Sequence, residues 1–588
     1  MRFFTIFLLF ACAIPALNAQ TELPIGLTDD ERALLKWYNF HEPNLMRGLT
    51  DPPATTPRTM AEWEEIQGLV VAWRAYFPTL AEIVRHAREE AHVYIMCENA
   101  NVVQNALLNN FNFNNLDNIT LIETDLNTVW MRDYGPNTVY MNDVDSLSIV
   151  EWIYNRPRPA DDMVPDVLGN ELDIPVYSTT AAPNDLVHTG GNFTADGLGT
   201  AFSSELVLEE NDMNNPYGAT VKNEADIDAI MQTWMGIDRY IKMPTLPYDG
   251  IHHIDMHMRL MDEETILMGE YPAGVADGPQ IEANLQYVLN NFDSPFGTPY
   301  RVQRIQMPPD NGQYPDGAWW ADYRTYTNSV FVNGTILVPI YEETFDSTAL
   351  RIYRELMPGY NVVGIDCNDI IEAGGALHCI TRAIGVDDPL WIVHQRQPDV
   401  DDPTGADFTI SADIKHRSGV DDVFLHYTTD TLLGYTATPM FLEDNAAGTY
   451  TATIPFNPAA TEYFYYIDAV AISGKQTMRP LPAPTAYYRF TVNTTVDTQE
   501  PLPNATFDEI FPNPARALTC VPLQLTEATM ATLTVQNALG QTVETLFTGR
   551  LSVGEQKFFL DAATYDAGIH TVTLRTAAGS FSRKLVVR

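Results

Sequence analysis

From Trp63 onward the chain alternates between short, wholly apolar runs and longer stretches whose apolar residues recur every three or four positions. Residues 68–73, Gly-Leu-Val-Val-Ala-Trp, predict a buried strand. Leu80, Ile83, Val84 and Ala87 then fall at helical spacing, and residues 92–96 return to a strand pattern. A second helix is predicted around Val102, Val103, Ala106 and Leu107, before a strand at 119–122. Strands alternating with helices predict an α/β domain.

A longer-period regularity follows. Five times a polar or glycine-bearing motif leads into a strand, a turn and a second strand. The motifs are Trp130 to Pro136, Gly190 to Phe193, His252 to Asp255, Thr327 to Ser329, and Gly374 to Cys379. The turns of the first four fall near Asn142-Asp143, at Asp196-Gly197, at 262–264 and at Asn333-Gly334. Asp-Gly and Asn-Gly are strong hairpin signals. Five unrelated hairpins would give the same local pattern. Recurrence of one supersecondary unit, however, predicts blades around an axis, with the five motif starts at one end.

After about Asp399 the texture changes to short strands without helices, at 412–416, 423–427, 450–454 and 463–467, predicting a small immunoglobulin-type sandwich. A polar, Pro-containing linker follows from about Asn493. A second all-β unit runs from about Phe507 to Arg588.

Composition narrows the partners. The 588 residues carry 77 Asp plus Glu against 34 Lys plus Arg, a formal net charge of -43. Such a field repels nucleic acid and anionic membranes and attracts a cationic substrate, while also serving as a solubilising surface. The first nineteen residues have one positive charge, an apolar run and small closing residues, the pattern of a secretory signal cut after Ala19. No run reaches the length of a membrane span. Cys97, Cys367, Cys379 and Cys520 show neither CxxC pairs nor a zinc pattern.

The chemistry centres on Gly374-Gly375-Ala376-Leu377-His378-Cys379. A single thiol after paired glycines is a candidate nucleophile; an unpaired Cys is also often just a small buried hydrophobe. Asp133, His253 and Asp255 complete a set suited to a guanidinium. Two carboxylates can each take paired hydrogen bonds from that planar cation, a thiolate can attack its central carbon, and a His can protonate departing ammonia and activate water. These residue types leave hydrolases and amidinotransferases equally open. His253, Asp255 and His257 alternate, so in an extended strand they would share a face and offer a zinc site as the competing reading. Gly190-Gly191 predicts a close backbone approach rather than a phosphate loop, because no Lys-Ser/Thr follows.

Trp-Met-Arg-Asp-Tyr-Gly-Pro (130–136), His-Thr-Gly-Gly-Asn (188–192), His-Ile-Asp (253–255) and Gly-Gly-Ala-Leu-His-Cys (374–379) resemble, in order, the agmatine deiminase and bacterial peptidylarginine deiminase family. The resemblance spans about Thr59 to Asp388. It implies an α/β pentein fold, a pseudo-fivefold propeller, with Cys379 as nucleophile and His253 as general acid and base. Asp133 and Asp255 would be the guanidinium clamps of a covalent thiouronium route, without metal or organic cofactor. Agmatine deiminases have a Glu five residues before the catalytic His, where this chain has Tyr248. Tyr154-Asn155-Arg156-Pro157-Arg158-Pro159 instead resembles the segment with which secreted peptidylarginine deiminases hold a substrate's C-terminal carboxylate; Arg156 and Arg158 share a face of an extended segment. Surface pairing of these arginines with Asp161 and Asp162 is the plainer alternative. Trp130, Ile251 and Asn328 match pocket-lining positions, and Trp130 is equally suited to core packing.

The C-terminal segment, with Phe511 to Ala515, residues 535–541 and residues 567–574, resembles the sorting domain of the Bacteroidetes type IX secretion system. The predicted organisation is a signal peptide (1–19), a pro-segment or N-terminal arm (20–46), the catalytic domain (47–395), an immunoglobulin-like sandwich (396–492), a linker (493–506) and the sorting domain (507–588). The expected function is a secreted or surface-attached deiminase from a Gram-negative bacterium. It would convert arginine in peptides, preferentially C-terminal arginine, to citrulline and ammonia. A deiminase of agmatine, free arginine or another small guanidino compound, or a non-catalytic binding protein on the same fold, are the alternatives. Expected partners are arginine-containing peptides and the type IX machinery.

Overall fold

The computed structural model describes residues 22–40, 48–316, 321–401, 405–493, 505–507, 509–537, 541–576 and 579–588. The expected signal peptide and most of the expected linker lie outside the described residues.

One construction repeats around the catalytic domain: an antiparallel strand pair whose second strand is flanked, across a helix, by a parallel third. Strands Asn137–Met141 and Ser146–Tyr154 pair antiparallel, and Val176–Thr179 adds parallel after the helix Val164–Leu172. The same holds for Thr194–Ala195, Thr200–Ser204 and Arg239–Met243 around helix Glu224–Met235. It holds again for Met258–Asp262, Thr265–Glu270 and Arg301–Gln306 around Gly278–Asn291. The fourth unit is Val330–Val332, Thr335–Ile340 and Asn361–Asp366 around Glu343–Leu356. Three of the four predicted turns carry left-handed residues, Asn142 (φ 46°) with Asp143 (φ 69°), Gly197 (φ 79°) and Asn333 (φ 48°), while the turn at 262–264 has none.

The fifth unit departs from the expected hairpin. Strand Thr381–Gly385, just past Cys379, pairs antiparallel with Ile66–Ala72 from the start of the domain. Ile66–Ala72 continues in parallel to His92–Cys97 and Ile119–Glu123 through the helix Phe77–Ala87 and the helical stretch that begins at Ala100–Asn105. The last blade is therefore closed by the first strand, and the ring becomes a pseudo-fivefold α/β propeller. Each blade remains a separate sheet with short edges of its own, as radial repetition leaves them. Each functional motif forms a short helical turn or bend just before the first strand of its unit: Met131–Tyr134, Gly190–Asn192, Ile254–Met256, the bend at Tyr326 and Thr327 that leads to Asn328, and His378–Ile380. That shared position makes them converge.

The sandwich packs Trp391–Val393, Phe408–Lys415, Thr449–Ile454 and Phe441–Asp444 in one sheet. Tyr488–Asn493, Glu462–Ala471, Val420–Thr428 and Thr436–Pro439 form the core of the other. Because Trp391–Val393 belongs to it, the sandwich begins before the expected boundary at 396. Buried aromatic rings fill it; Tyr463 and Phe490 stack with centroids 5.0 Å apart. The C-terminal unit forms two sheets. One is Ala505–Phe507, Leu518–Leu525 and Gly554–Asp561; the other is Thr542–Leu551, Thr529–Gln536, Gly568–Thr576 and Gly579–Val587. Its first strand starts inside the expected linker, and its core includes Val521, Leu533, Leu574 and Leu585.

Candidate active site

Cys379 is fully buried at the turn His378–Ile380. Asn328 holds it. The amide Nδ2 donates to Sγ at 3.2 Å, while Oδ1 accepts from the backbone N–H of His378 at 2.9 Å. Asn328 therefore fixes both the thiol and the turn that carries it. Sγ lies 3.7 Å from Asp255 Oδ2. Gly375 makes room: a Cβ there would come within 2.7 Å of the Trp130 ring and 3.0 Å of Cys379 Sγ. Burial, with the Asp255 and Asp133 carboxylates nearby, pushes the thiol well above its usual range.

His253 and Asp133 face each other, Nδ1 to Oδ1, at 3.6 Å, both buried. The glycine pair brings them together. A Cβ on Gly191 would stand 2.4 Å from His253 Nδ1 and 3.1 Å from Asp133 Oδ1, and one on Gly190 2.0 Å from the Arg132 carbonyl. The expected close backbone approach is thus what these glycines provide. His252 sits at φ 58°, in the left-handed region that His enters more readily than most residues, with its carbonyl accepting from Ser204 Oγ at 2.7 Å. That conformation sets the direction in which His253 leaves the chain. Burial drives His253 down to about 3, so it is neutral at physiological pH. Burial pushes Asp133 up to about 7, Arg156 opposing and Asp255 adding to the rise.

Asp133 Oδ1, Asp255 Oδ1 and both ring nitrogens of His253 are buried without a hydrogen-bond partner. Buried polar atoms are ordinarily satisfied. Two carboxylate oxygens and an imidazole left unpaired around a thiol form an acceptor set shaped for a multivalent donor cation. Residues Ile254–Met256 form a helical turn, so the strand geometry that would align His253, Asp255 and His257 on one face is absent. Among the described residues no group of three or more His, Cys, Asp or Glu could hold a metal ion.

Two residues escaped the sequence reading. His378 bridges Asp255 and Glu62: Nδ1 is 2.7 Å from Asp255 Oδ2, and Nε2 is 2.8 Å from Glu62 Oε1. Arg132 Nη1 (3.0 Å) and Arg259 Nη2 (2.7 Å) pin the same Glu62 carboxylate. Although its burial works the other way, Arg132, His378 and Arg259 hold Glu62 well below the usual carboxylate range. The chain Glu62–His378–Asp255 thereby commits one oxygen of Asp255 to His378 and leaves the other free. The His immediately before the Cys was the available signal.

The remaining predicted residues ring this centre. Arg156 and Arg158 are buried. Neither lies at the surface, as pairing there with Asp161 and Asp162 would require; Arg158 pairs with Glu31, and Asp161 is itself buried and accepts from the N–H groups of Asn127 and Thr128. Trp130 is fully buried, its ring against Gly375. Ile251 is half-buried on the loop preceding His253, and Tyr248 is exposed on the same loop.

Residues 58–384 match the family model described as Porphyromonas-type peptidyl-arginine deiminase, and residues 509–588 match the secretion system C-terminal sorting domain. A provisionally named agmatine deiminase of Streptomyces avermitilis is 24% identical over 358 residues, covering 57% of this chain and 99% of its own. A solved structure provisionally described as an arginine deiminase from Porphyromonas gingivalis is 22% identical, covers 56% of this chain and 98% of its own, and has a TM-score of 0.48. An agmatine deiminase structure of Enterococcus faecalis is 18% identical, covers 57% and 99%, and has a TM-score of 0.48. The sorting domain marks the chain for type IX export, to the medium or the cell surface. No helix among the described residues is long and apolar enough to cross a membrane.

Proposed function

The chain belongs to the Porphyromonas-type peptidyl-arginine deiminase family, hydrolases of amidine C–N bonds, and from that premise we propose that it deiminates arginine at the C-terminal end of peptides. In this reading Asp133 and Asp255 clamp the guanidinium with the oxygens they hold unpaired. The arriving cation sits between two carboxylates and a thiol, offsets the charges that raise the thiol pKa, and so favours the thiolate. The proton leaves Sγ for neutral His253. Sulfur attacks the central carbon, and His253 returns the proton to the departing nitrogen, which leaves as ammonia. A thiouronium remains on Cys379. His253 then takes a proton from water and hydroxide adds to the carbon; as the C–S bond breaks the hydroxyl proton passes to sulfur, citrulline is released, and His253 gives its proton to ammonia or solvent. Asn328, donating to Sγ, steadies the sulfur in each state.

The observation that carries the preference for terminal arginine is Arg158. It is buried beside this centre and already grips a carboxylate in a fork, Nε to Glu31 Oε1 at 2.8 Å and Nη2 to Oε2 at 3.2 Å. A peptide's terminal carboxylate offers the same two oxygens. Relatives named as agmatine deiminases favour a second reading, a small guanidino substrate with no carboxylate. Citrulline-type product formation separates the two, measured on a peptide ending in Arg, the same peptide with Arg internal, and agmatine. The expected result is strong preference for terminal Arg, lost in Arg158→Ala. Turnover of agmatine alone would overturn the peptide reading.

A further inference from the structure

We propose that residues Glu22–Phe40 are a built-in inhibitor of this active site, seated where the peptide substrate would lie and holding it closed until displaced or removed. The inference rests on the deiminase reading for what is blocked, and on geometry alone for what blocks it.

Four consecutive carbonyls of the segment are gripped by side chains already assigned to substrate binding. Trp130 Nε1 donates to Leu23 O at 2.9 Å, Arg158 Nη2 to Pro24 O at 2.8 Å, Arg156 Nε to Ile25 O at 3.1 Å, and Arg158 Nη2 to Gly26 O at 3.1 Å. On the opposite side, Ile25 N–H donates to Ala373 O at 3.1 Å, one residue before the Gly374-Gly375 turn that leads to Cys379. The segment bends at Ile25-Gly26, so that one guanidinium nitrogen reaches the carbonyls on either side of Ile25, a grip on the backbone that does not depend on the segment's side chains. Ile25 is 1% exposed, and its Cγ2 would lie 2.8 Å from a Cβ on Gly374. Gly26 faces Ile251, whose side chain would be 3.8 Å from a Cβ there.

Glu31 completes the imitation. Its side chain caps the helix Asp29–Leu34, accepting from the Thr28 N–H at 2.8 Å, while both its oxygens meet the Arg158 guanidinium. The helix cap thus presents a carboxylate to the residue read as the carboxylate clamp. Farther along, Leu35 and Phe40 anchor the segment in a separate apolar cluster with Ile153, Val187 and Tyr217. Trp130, Arg156 and Arg158 cannot serve this segment and a substrate together. Cys379, His253 and Asp133 are themselves buried.

The test is the rate at which 2-chloroacetamidine alkylates Cys379 in the full chain, mapped by mass spectrometry. The probe carries a guanidinium-like amidinium; a C–S bond forms at Sγ, chloride leaves, and the thiol proton passes to His253 or solvent. Glu31→Gln and Ile25→Ala are compared with the parent and with Trp37→Ala, whose side chain is 84% exposed. Expected are at least tenfold faster alkylation in Glu31→Gln and Ile25→Ala, a parental rate in Trp37→Ala, and unchanged melting of the propeller in Glu31→Gln. Parental rates in both test variants would overturn the inference. So would slower alkylation together with lower melting, which would make the segment a permanent wall of the site. Faster alkylation with no citrulline from any arginine peptide would leave the inhibitor standing and sink the proposed function. Citrulline formed equally fast by parent and variants would do the reverse.

Discussion

At the scale of single residues, Asp133 decides how the site responds to pH. Burial raises it to about 7 from an ordinary value near 3.8, so below neutrality the empty site holds it protonated and lacks one of the two proposed guanidinium clamps. The clamp forms as pH rises through about 7. kcat/KM on an arginine peptide should therefore climb towards a plateau above neutrality. Asp133→Asn should lose that limb and lower kcat/KM by about 2–5 kcal/mol, roughly 30- to 5,000-fold, the range for truncating one partner of a buried charge pair. A flat profile between about pH 5.5 and 8 would count against Asp133 as a clamp. Cys379, His253, Asp133 and Asp255 were legible in the sequence because their motifs are local and their chemistry is specific. Glu62 was not. It sits in an ordinary acidic stretch, and only the fold brings it to His378, Arg132 and Arg259. No local pattern encodes an ion network assembled from four separate segments.

At the scale of elements, the turns before each blade act as fixtures, and Gly191 is the one that sits directly against His253 and Asp133. Gly191→Ala would drive a methyl into His253 Nδ1 at 2.4 Å, and a displacement of about 1 Å at a reacting group costs on the order of 10²-fold. Steady-state kinetics should show that loss, whereas Gly278→Ala, where a Cβ would meet its nearest neighbour at 3.5 Å, should leave kcat/KM unchanged. Equal kinetics in the two would mean that His253 and Asp133 do not need their present spacing. Elements were legible where turn chemistry is written in adjacent residues, as at Asp196-Gly197 and Asn333-Gly334. The fifth blade was misjudged because strand Thr381–Gly385 pairs with a strand from the far end of the domain, and register across such a separation leaves no mark on either strand alone. The inhibitory segment had a signal that went unused: Thr28-Asp29-Asp30-Glu31 is a capping box ahead of Leu34 and Leu35. What the box faces is a tertiary fact.

At the scale of the molecule, the propeller and the immunoglobulin-like sandwich form one compact unit. Arg479 of the sandwich reaches Glu263, at the turn of the third propeller unit, Nη2 to Oε1 at 3.0 Å and to Oε2 at 3.2 Å, with both side chains buried. Lys475 meets Glu65 at 2.6 Å, and Arg58 of the propeller lies 4.0 Å over the Trp391 ring. Buried pairs of this kind contribute little net stability compared with a well-packed apolar interface. Breaking one by removing a single partner is a different matter, because a charge is left buried alone, at a cost of about 3–5 kcal/mol. The sandwich is therefore coupled to the catalytic ring rather than tethered to it, and the two should unfold in a single transition. Denaturant titration followed by tryptophan emission intensity and by tryptophan emission maximum, to which the separate C-terminal unit contributes no Trp, should give coincident curves. Arg479→Ala should move both to lower denaturant together. Two separated transitions in the parent chain, or a shift in only one signal for Arg479→Ala, would show instead that the sandwich unfolds independently and that the catalytic ring does not depend on it.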